Sequence, residues 1–175
     1  SSTCNLTCNA GHDLAGSTSR SCETTGWNGE TPSCTPKDCG AVAAPDHGFV
    51  ELNDLGSLYG GVATYTCALG YKLVSYNGVP VGNTTFNRTC SSNGDWSSFA
   101  PTCEPVNCSQ LYTPSNGSLV FEGSQEEDNN FPFGASATYS CDVGYELQVT
   151  PCNDDNDCNV LQNTWTQTCG ANESW

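Results

Sequence analysis

The chain has 175 residues, 13 cysteines and a formal net charge of −15, from four Lys plus Arg against 19 Asp plus Glu. That balance excludes nucleic acid and anionic membrane surfaces as partners, because both need a basic footprint. No apolar run approaches the roughly 20 residues that span a bilayer, so no membrane insertion is expected; without a leader-like segment at Ser1, the chain reads as mature or as a segment of something longer.

From the N-terminus, the first segment carries Cys4, Cys8, Cys22, Trp27 and Cys34, with "LTCNAGHDLA" at Leu6 to Ala15. The linker "TPKD" follows. A second segment then runs through Cys39, "PDHGFVEL" (Pro45 to Leu52), "YGGVATYTCALGYKLV" ending at Val74, "NTTFNRTC" ending at Cys90, Trp96 and Cys103. After the linker "EPVN" the order returns: Cys108, "PSNGSLVF" (Pro114 to Phe121), "FGASATYSCDVGYELQ" ending at Gln148, "QNTWTQTC" ending at Cys169, and Trp175. Alternation in "VATYTC" predicts a strand with one face buried, and Gly70 permits a bend before Tyr71 and Leu73 resume it. Each linker is four residues with a Pro, too short to wander, so neighbouring units should be held end to end.

Zinc sites favour closely spaced Cys pairs, yet no Cys-x-x-Cys occurs and there are only two histidines, His12 and His47. Dense, widely spaced cysteines therefore read as disulfides of a secreted or cell-surface protein. Six sequons agree: Asn5, Asn83, Asn87, Asn107, Asn116 and Asn172. Asn83, Asn87 and Asn116 lie in polar or turn segments and are the expected N-glycan carriers; Cys108 in its middle position disfavours Asn107.

The repeated pattern resembles the sushi module, also called the complement control protein module. The matching features are four framework cysteines, a Pro-x-x-Gly turn after the first, aromatic-x-Cys-x-x-Gly-Tyr at the second, and a Trp between the third and fourth. The resemblance implies an all-β chain of small disulfide-rich modules arranged end to end as a rod. It implies a partial module at 1–35, a complete one at 39–104, and one at 108–175 that lacks its last cysteine. The family pairs first with third and second with fourth cysteines. Carried over, this gives Cys39–Cys90, Cys67–Cys103, Cys8–Cys34 and Cys108–Cys169. A unit of about 65 residues is marginal alone, so crossed disulfides and one Trp should complete its core. Trp27, Trp96, Trp175, Tyr71 and Tyr145 are expected to be structural core residues.

Two departures stand out. "TPCNDDNDCNVLQ" is inserted in the third unit, where Cys152 and Cys158 most simply close a local loop holding Asp154, Asp155 and Asp157. With "EEDNN" at Glu126 to Asn130 it raises the question of calcium, but it lacks the Gly and terminal Glu of an EF-hand loop, and a solvated acidic loop is the expectation. At the N-terminus, Cys4 is either a displaced first cysteine pairing with Cys22 or an extra cysteine of the selectin type. Cys141 has no fourth-position partner. Placing a second copy after Trp175 would bring its Cys4 to a spacing like that of Cys103, so a head-to-tail or longer repeating protein is one expectation and a truncated fragment the other.

The reading for function is an extracellular, glycosylated structural or adhesive module array, a segment of a repeating or head-to-tail filamentous protein, whose partners are other proteins or further copies of itself. The alternative is a protein-binding fragment of a complement-regulator-like protein or cell-surface receptor. Arg20, Lys37, Lys72 and Arg88 are scattered in sequence, which disfavours polyanions. Catalysis is not expected: a nucleophile needs a nearby base, but His12 takes the place of the family's Tyr at the second cysteine and His47 sits in the Pro-x-x-Gly turn, and no apolar pocket is in prospect to tune a carboxylate. No cofactor or metal is called for.

Overall fold

The computed structural model describes residues 2–123, 131–149 and 160–175. It is all-β, with no helix among the described residues. The chain divides into two compact units, one of Ser1–Ala68 with Leu73–Cys103 and one of Leu69–Lys72 with Glu104–Trp175.

The strands lying wholly or partly in the first unit are β1 (Thr3–Asn5), β2 (His12–Ala15), β3 (Ser19–Glu23), β4 (Gly26–Trp27), β5 (Ser33–Pro36), β6 (Gly48–Leu52), β7 (Val62–Cys67), β8 (Tyr71–Val74), β9 (Phe86–Thr89) and β10 (Thr102–Pro105). They form the antiparallel sheet β6-β7-β9, the pair β8-β10, the smaller sheet β1-β3-β4 and the pair β2-β5. The alternation in β7 turns Ala63 and Tyr65 fully inward while Val62, Thr64 and Thr66 remain partly exposed. Ala63, Tyr65 and Leu73 form the centre of a core, closed by Val42, Val50, Val81, Phe86 and Trp96. The Trp96 indole N–H donates to the Gly40 carbonyl at 3.2 Å. Arg88 lies 5.6 Å from the Trp96 ring centroid and donates to the Tyr65 hydroxyl at 2.9 Å, so its charge caps the core rather than facing solvent alone.

Two features of the Pro45–Gly48 turn follow from space and backbone angle. A Cβ on Gly48 would lie 2.7 Å from Cys103 Sγ, 2.7 Å from the Thr66 carbonyl oxygen and 2.8 Å from Pro45 Cγ. His47 before it has φ of 56°, and its counterpart Asn116 has φ of 57°, the left-handed region that Asn tolerates better than most residues.

The small sheet β1-β3-β4 repeats the register of the larger one. Cys4 pairs with Arg20, as Ala63 pairs with Arg88. Counting back four residues from Cys8 and Cys67 gives the same match. Cys4 therefore stands at a core alanine position and is not a displaced first framework cysteine. Trp27 is 51% exposed. This corrects the expectation of a core role: no side chain from the described residues before Cys39 enters either buried cluster, so there is no core for Trp27 to cover.

The second unit holds β11 (Asn107–Cys108), β12 (Gly117–Glu122), β13 (Phe131–Pro132), β14 (Ser136–Cys141), β15 (Leu147–Val149), β16 (Val160–Gln162) and β17 (Thr164–Thr168). Its main sheet is β12-β14-β17, flanked by the pairs β11-β13 and β15-β16. The core gathers Cys108, Phe131, Ala135 and Cys169, with Phe121 and Trp175 against it. Phe121 stacks on Phe131 at 4.2 Å, and Trp175 meets Phe131 edge-on at 5.2 Å. The Trp175 indole donates to the Ser109 carbonyl at 2.7 Å, matching the Trp96–Gly40 bond one residue after the first framework cysteine. Tyr71 is partly buried at the start of β8. Tyr145 is 53% exposed and lies outside any strand, a second correction. Tyr71 gains cover because β8 is paired by β10, and no described strand stands in β10's place beside Tyr145.

Candidate interaction surfaces

Four disulfides cross-link the described chain: Cys8–Cys34, Cys39–Cys90, Cys67–Cys103 and Cys108–Cys169. Cys4 and Cys22 are free and exposed, so they are not bonded to each other, and Cys141 is free and partly buried. Cys152, Cys158 and the acidic residues Asp154, Asp155 and Asp157 lie outside the described residues, as does Glu126–Asn130.

Each of the four cations is engaged within the chain. Arg20 donates to the carbonyls of Asn28 and Gly29 at 2.9 and 3.1 Å. Lys37 pairs with Asp13 at 3.3 Å, Lys72 with Glu173, and Arg88 donates to the Ser98 carbonyl at 2.7 Å. A basic surface for a polyanion is therefore missing among the described residues. Among the described residues no group of three or more His, Cys, Asp or Glu side chains could hold a metal ion. His12 meets the Tyr59 ring edge-on at 5.8 Å, a packing contact.

The sequon asparagines Asn5, Asn83, Asn87, Asn116 and Asn172 are exposed, and Asn107 is partly buried in β11 opposite Pro132. One carboxyl and one phenol are tuned by their surroundings. The Ser57 side chain and the Gly40 N–H hold the Asp38 carboxyl below its ordinary value. Burial pushes the Tyr139 phenol up, against a lowering hydrogen bond from Gln167.

Among the described residues the most exposed stacked aromatic pair is Tyr76–Phe99. Tyr76 and Phe99 stack at 4.4 Å between centroids with 70% and 67% of their surface exposed, and Val79 nearby in sequence is 60% exposed. Tyr76 is carried on the turn after β8, closed by Ser75 N–H to the Val79 carbonyl at 2.9 Å. An exposed aromatic pair on a cross-linked scaffold is a surface of the kind that anchors protein partners. The sequence offered one signal for it, an aromatic within the turn segment "SYNGVP", which has no core to face.

The segment after the second framework cysteine carries a repeated contact in the first two repeats. Gly11, with φ of 79°, would place a Cβ 2.4 Å from the Tyr59 ring; Gly70, with φ of 85°, would place one 2.6 Å from Phe133. The Gly11 carbonyl accepts from Lys37 N–H, whose carbonyl accepts from Tyr59 N–H, at 2.8 and 2.7 Å. In the second unit the Gly70 carbonyl accepts from Val106 N–H, and Val106 from Phe133 N–H, at 2.8 and 2.9 Å.

The sushi repeat (SCR repeat) family matches residues 1–34, 39–103 and 108–170. Similar proteins include Protein lev-9 of Caenorhabditis elegans, 37% identical over 135 residues, covering 77% of this chain and 19% of that protein. E-selectin of Sus scrofa is 30% identical over 150 residues, 83% of this chain and 29% of the selectin. Sushi, von Willebrand factor type A, EGF and pentraxin domain-containing protein 1 of Rattus norvegicus is 32% identical over 142 residues, 81% of this chain and 4% of that protein. The chain thus spans less than a third of the length of each.

Proposed function

The chain belongs to the sushi-repeat family of extracellular disulfide-linked modules, and from that premise we propose that it is a non-catalytic, protein-binding array with a structural or adhesive role. The observation that carries this reading is the exposed Tyr76–Phe99 stack, set on a repeat pinned by Cys39–Cys90 and Cys67–Cys103. With a net charge of −15 and every cation engaged internally, the preferred partner surface is apolar at its centre and basic at its rim. N-glycans on the exposed Asn83, Asn87 and Asn116 complete the proposal, leaving the aromatic stack as an unglycosylated contact.

We extend the reading to a longer repeating array in which Cys141 is bonded rather than free. Its counterpart Cys67 bonds Cys103 on β10, so the partner thiol belongs on a strand of β10 type. Cys4 is unsuited to that place, since it lies in β1 and is already paired across to β3.

The test is attachment of cells to the immobilised chain. The chain is expected to support attachment, and a folded Tyr76→Ser/Phe99→Ser variant to lose it. Equal attachment by that variant overturns the reading. Capture of complement fragments without cell attachment would favour the regulator or receptor-fragment alternative instead.

A further inference from the structure

The second repeat has all four framework cysteines bonded, and register fixes what the outer face of its main sheet carries. Val50 pairs with Tyr65, and Tyr65 with Phe86, on the core side. The alternate residues point outward: Phe49 and Glu51 on β6, Thr64 and Thr66 on β7, Asn87 and Thr89 on β9. Glu51, Thr64 and Asn87 form one row across the three strands, and Phe49 and Thr66 stand in the next.

Phe49 is 62% exposed and belongs to neither buried cluster. A single exposed ring needs no partner; what singles out Phe49 is the sequon on its face. Asn87 opens Asn87-Arg88-Thr89, and both Asn87 and Thr89 are exposed. The third repeat gives an internal comparison. Ser118 stands there in the place of Phe49, and Thr166, outside any sequon, in the place of Asn87. Hydroxyl pairs occupy that face, Ser118 with Ser140 and Thr138 with Thr166, each at 2.8 Å. The aromatic ring is thus found in the repeat whose third strand carries a sequon, and a hydroxyl takes its place in the repeat whose third strand does not. Asn87 and Phe49 are two strands and two residues apart. With strands about 4.8 Å apart and a two-residue rise of about 6.8 Å, their backbones lie about 12 Å from each other. Two linked N-acetylglucosamine units extended from an asparagine cover such a gap, and only the short Thr64 and Thr66 side chains lie between.

We propose that this face seats the chain's own Asn87 glycan, with the core disaccharide lying across β7 and the apolar face of one N-acetylglucosamine ring stacked on Phe49. The axial C–H bonds of the pyranose present weakly positive hydrogens to the negative face of the aromatic ring. Thr64, Thr66 and Glu51 offer hydrogen-bond partners to the sugar's hydroxyl and acetamide groups. The sugar is joined when Asn87 Nδ2 bonds C1 of a lipid-linked oligosaccharide, losing one proton and displacing the lipid diphosphate. The inference rests on the glycan proposed above for Asn87. Its consequence is that the seated sugar removes Phe49 as an adhesive contact and leaves Tyr76–Phe99 as the ring pair open to partners.

The test uses the whole chain secreted from a eukaryotic host in four forms: unchanged, Asn87→Gln, Phe49→Ser and both together. Phe49→Ser places the third repeat's residue at a site outside the core, so folding is retained. Peptide mass after enzymatic deglycosylation first reports whether Asn87 is occupied. Asn87→Gln should then lower the non-reducing thermal midpoint by about 3–6 °C when Phe49 is present and by less than about 1 °C when it is replaced. Sugar C–H resonances of the Asn87 core should lie upfield through the ring current of Phe49 and return to ordinary positions in Phe49→Ser. With Asn87 occupied, an equal midpoint loss in the two backgrounds, or sugar resonances unmoved by Phe49→Ser, overturns the stacking and leaves the glycan itself standing. An unmodified Asn87 overturns both, while the attachment assay on Tyr76 and Phe99 decides the protein-binding reading separately.

Discussion

Gly48→Ala isolates one steric requirement of the repeat. The added methyl group would meet Cys103 Sγ at 2.7 Å, the Thr66 carbonyl oxygen at 2.7 Å and Pro45 Cγ at 2.8 Å. None of these is the end of a flexible side chain. The sulfur is held in the Cys67–Cys103 disulfide, and the carbonyl belongs to β7 at the centre of its sheet. Relief therefore requires the β6–β7 pairing to open, since Gly48 is paired with Cys67. Forced overpacking of this kind costs about 2–3 kcal/mol. For a domain of this size each kcal/mol lowers the midpoint by about 4–8 °C, so the second repeat should unfold about 10–20 °C lower. Gly82→Ala is the control, because its Cβ would meet nothing within 4 Å and its φ is not in the left-handed region. That substitution should be neutral or stabilise by a few tenths of a kcal/mol through the unfolded chain. The assay is calorimetry of both variants under non-reducing conditions. Equal midpoints for Gly48→Ala and Gly82→Ala would refute the steric account of the Pro-x-x-Gly motif.

Trp96→Phe should cost about 1–2 kcal/mol through the lost hydrogen bond to Gly40 and lost packing, while Trp27→Phe stays within about 0.5 kcal/mol as an exposed site; urea midpoints compare the two. Removing Cys39–Cys90 by a double Cys→Ala change should cost about 4 kcal/mol, from the loop entropy of a bridge with a sequence separation of 51, read by the same titration. Gly70→Ala should destabilise more than Gly144→Ala: both have positive φ, but only Gly70 would drive a Cβ into a ring, and thermal scans should rank them so. Because the folded Asp38 carboxyl titrates below its unfolded value of 3.8, its contribution is present above that value and is lost as pH falls through the lower folded one; Asp38→Asn should remove that part of the acid dependence, which a stability series between neutral pH and pH 2 would detect.

Much of the fold was legible because the signals are local. The alternation in "VATYTC" sets which side chains of β7 enter the core, and the cysteine order marks the repeats. The pairing itself came from the family resemblance, since spacing alone left the partners open. Trp27 and Tyr145 were misread for a common reason: their burial depends on strands from distant sequence, and a motif cannot report whether such a strand is in place. The position of Cys4 could have been found by counting back from Cys8 and comparing Ala63 and Ala137 at the same offset from Cys67 and Cys141. The Tyr76–Phe99 pair joins two loops and has no periodicity, so its one trace was the aromatic in the turn segment "SYNGVP".

The repeated Cys-x-x-Gly phrase has a cause beyond the strand bend that its glycine permits. At Gly11 and at Gly70 the same three things coincide: a left-handed φ, an aromatic ring in the space a Cβ would need, and a carbonyl that accepts from the residue two before the next framework cysteine. That linker residue, Lys37 or Val106, then accepts from the aromatic residue's own amide. One glycine thus serves a backbone angle, a ring contact and a hydrogen-bond relay together. Each of the three would weaken if a side chain were introduced. The linker is fixed through its backbone, so its side chains are free to differ. Lys37 and Val106 share no chemistry, yet they make the same two bonds. This is why the glycines and the aromatic positions return in the sequence while the linkers "TPKD" and "EPVN" share only a proline.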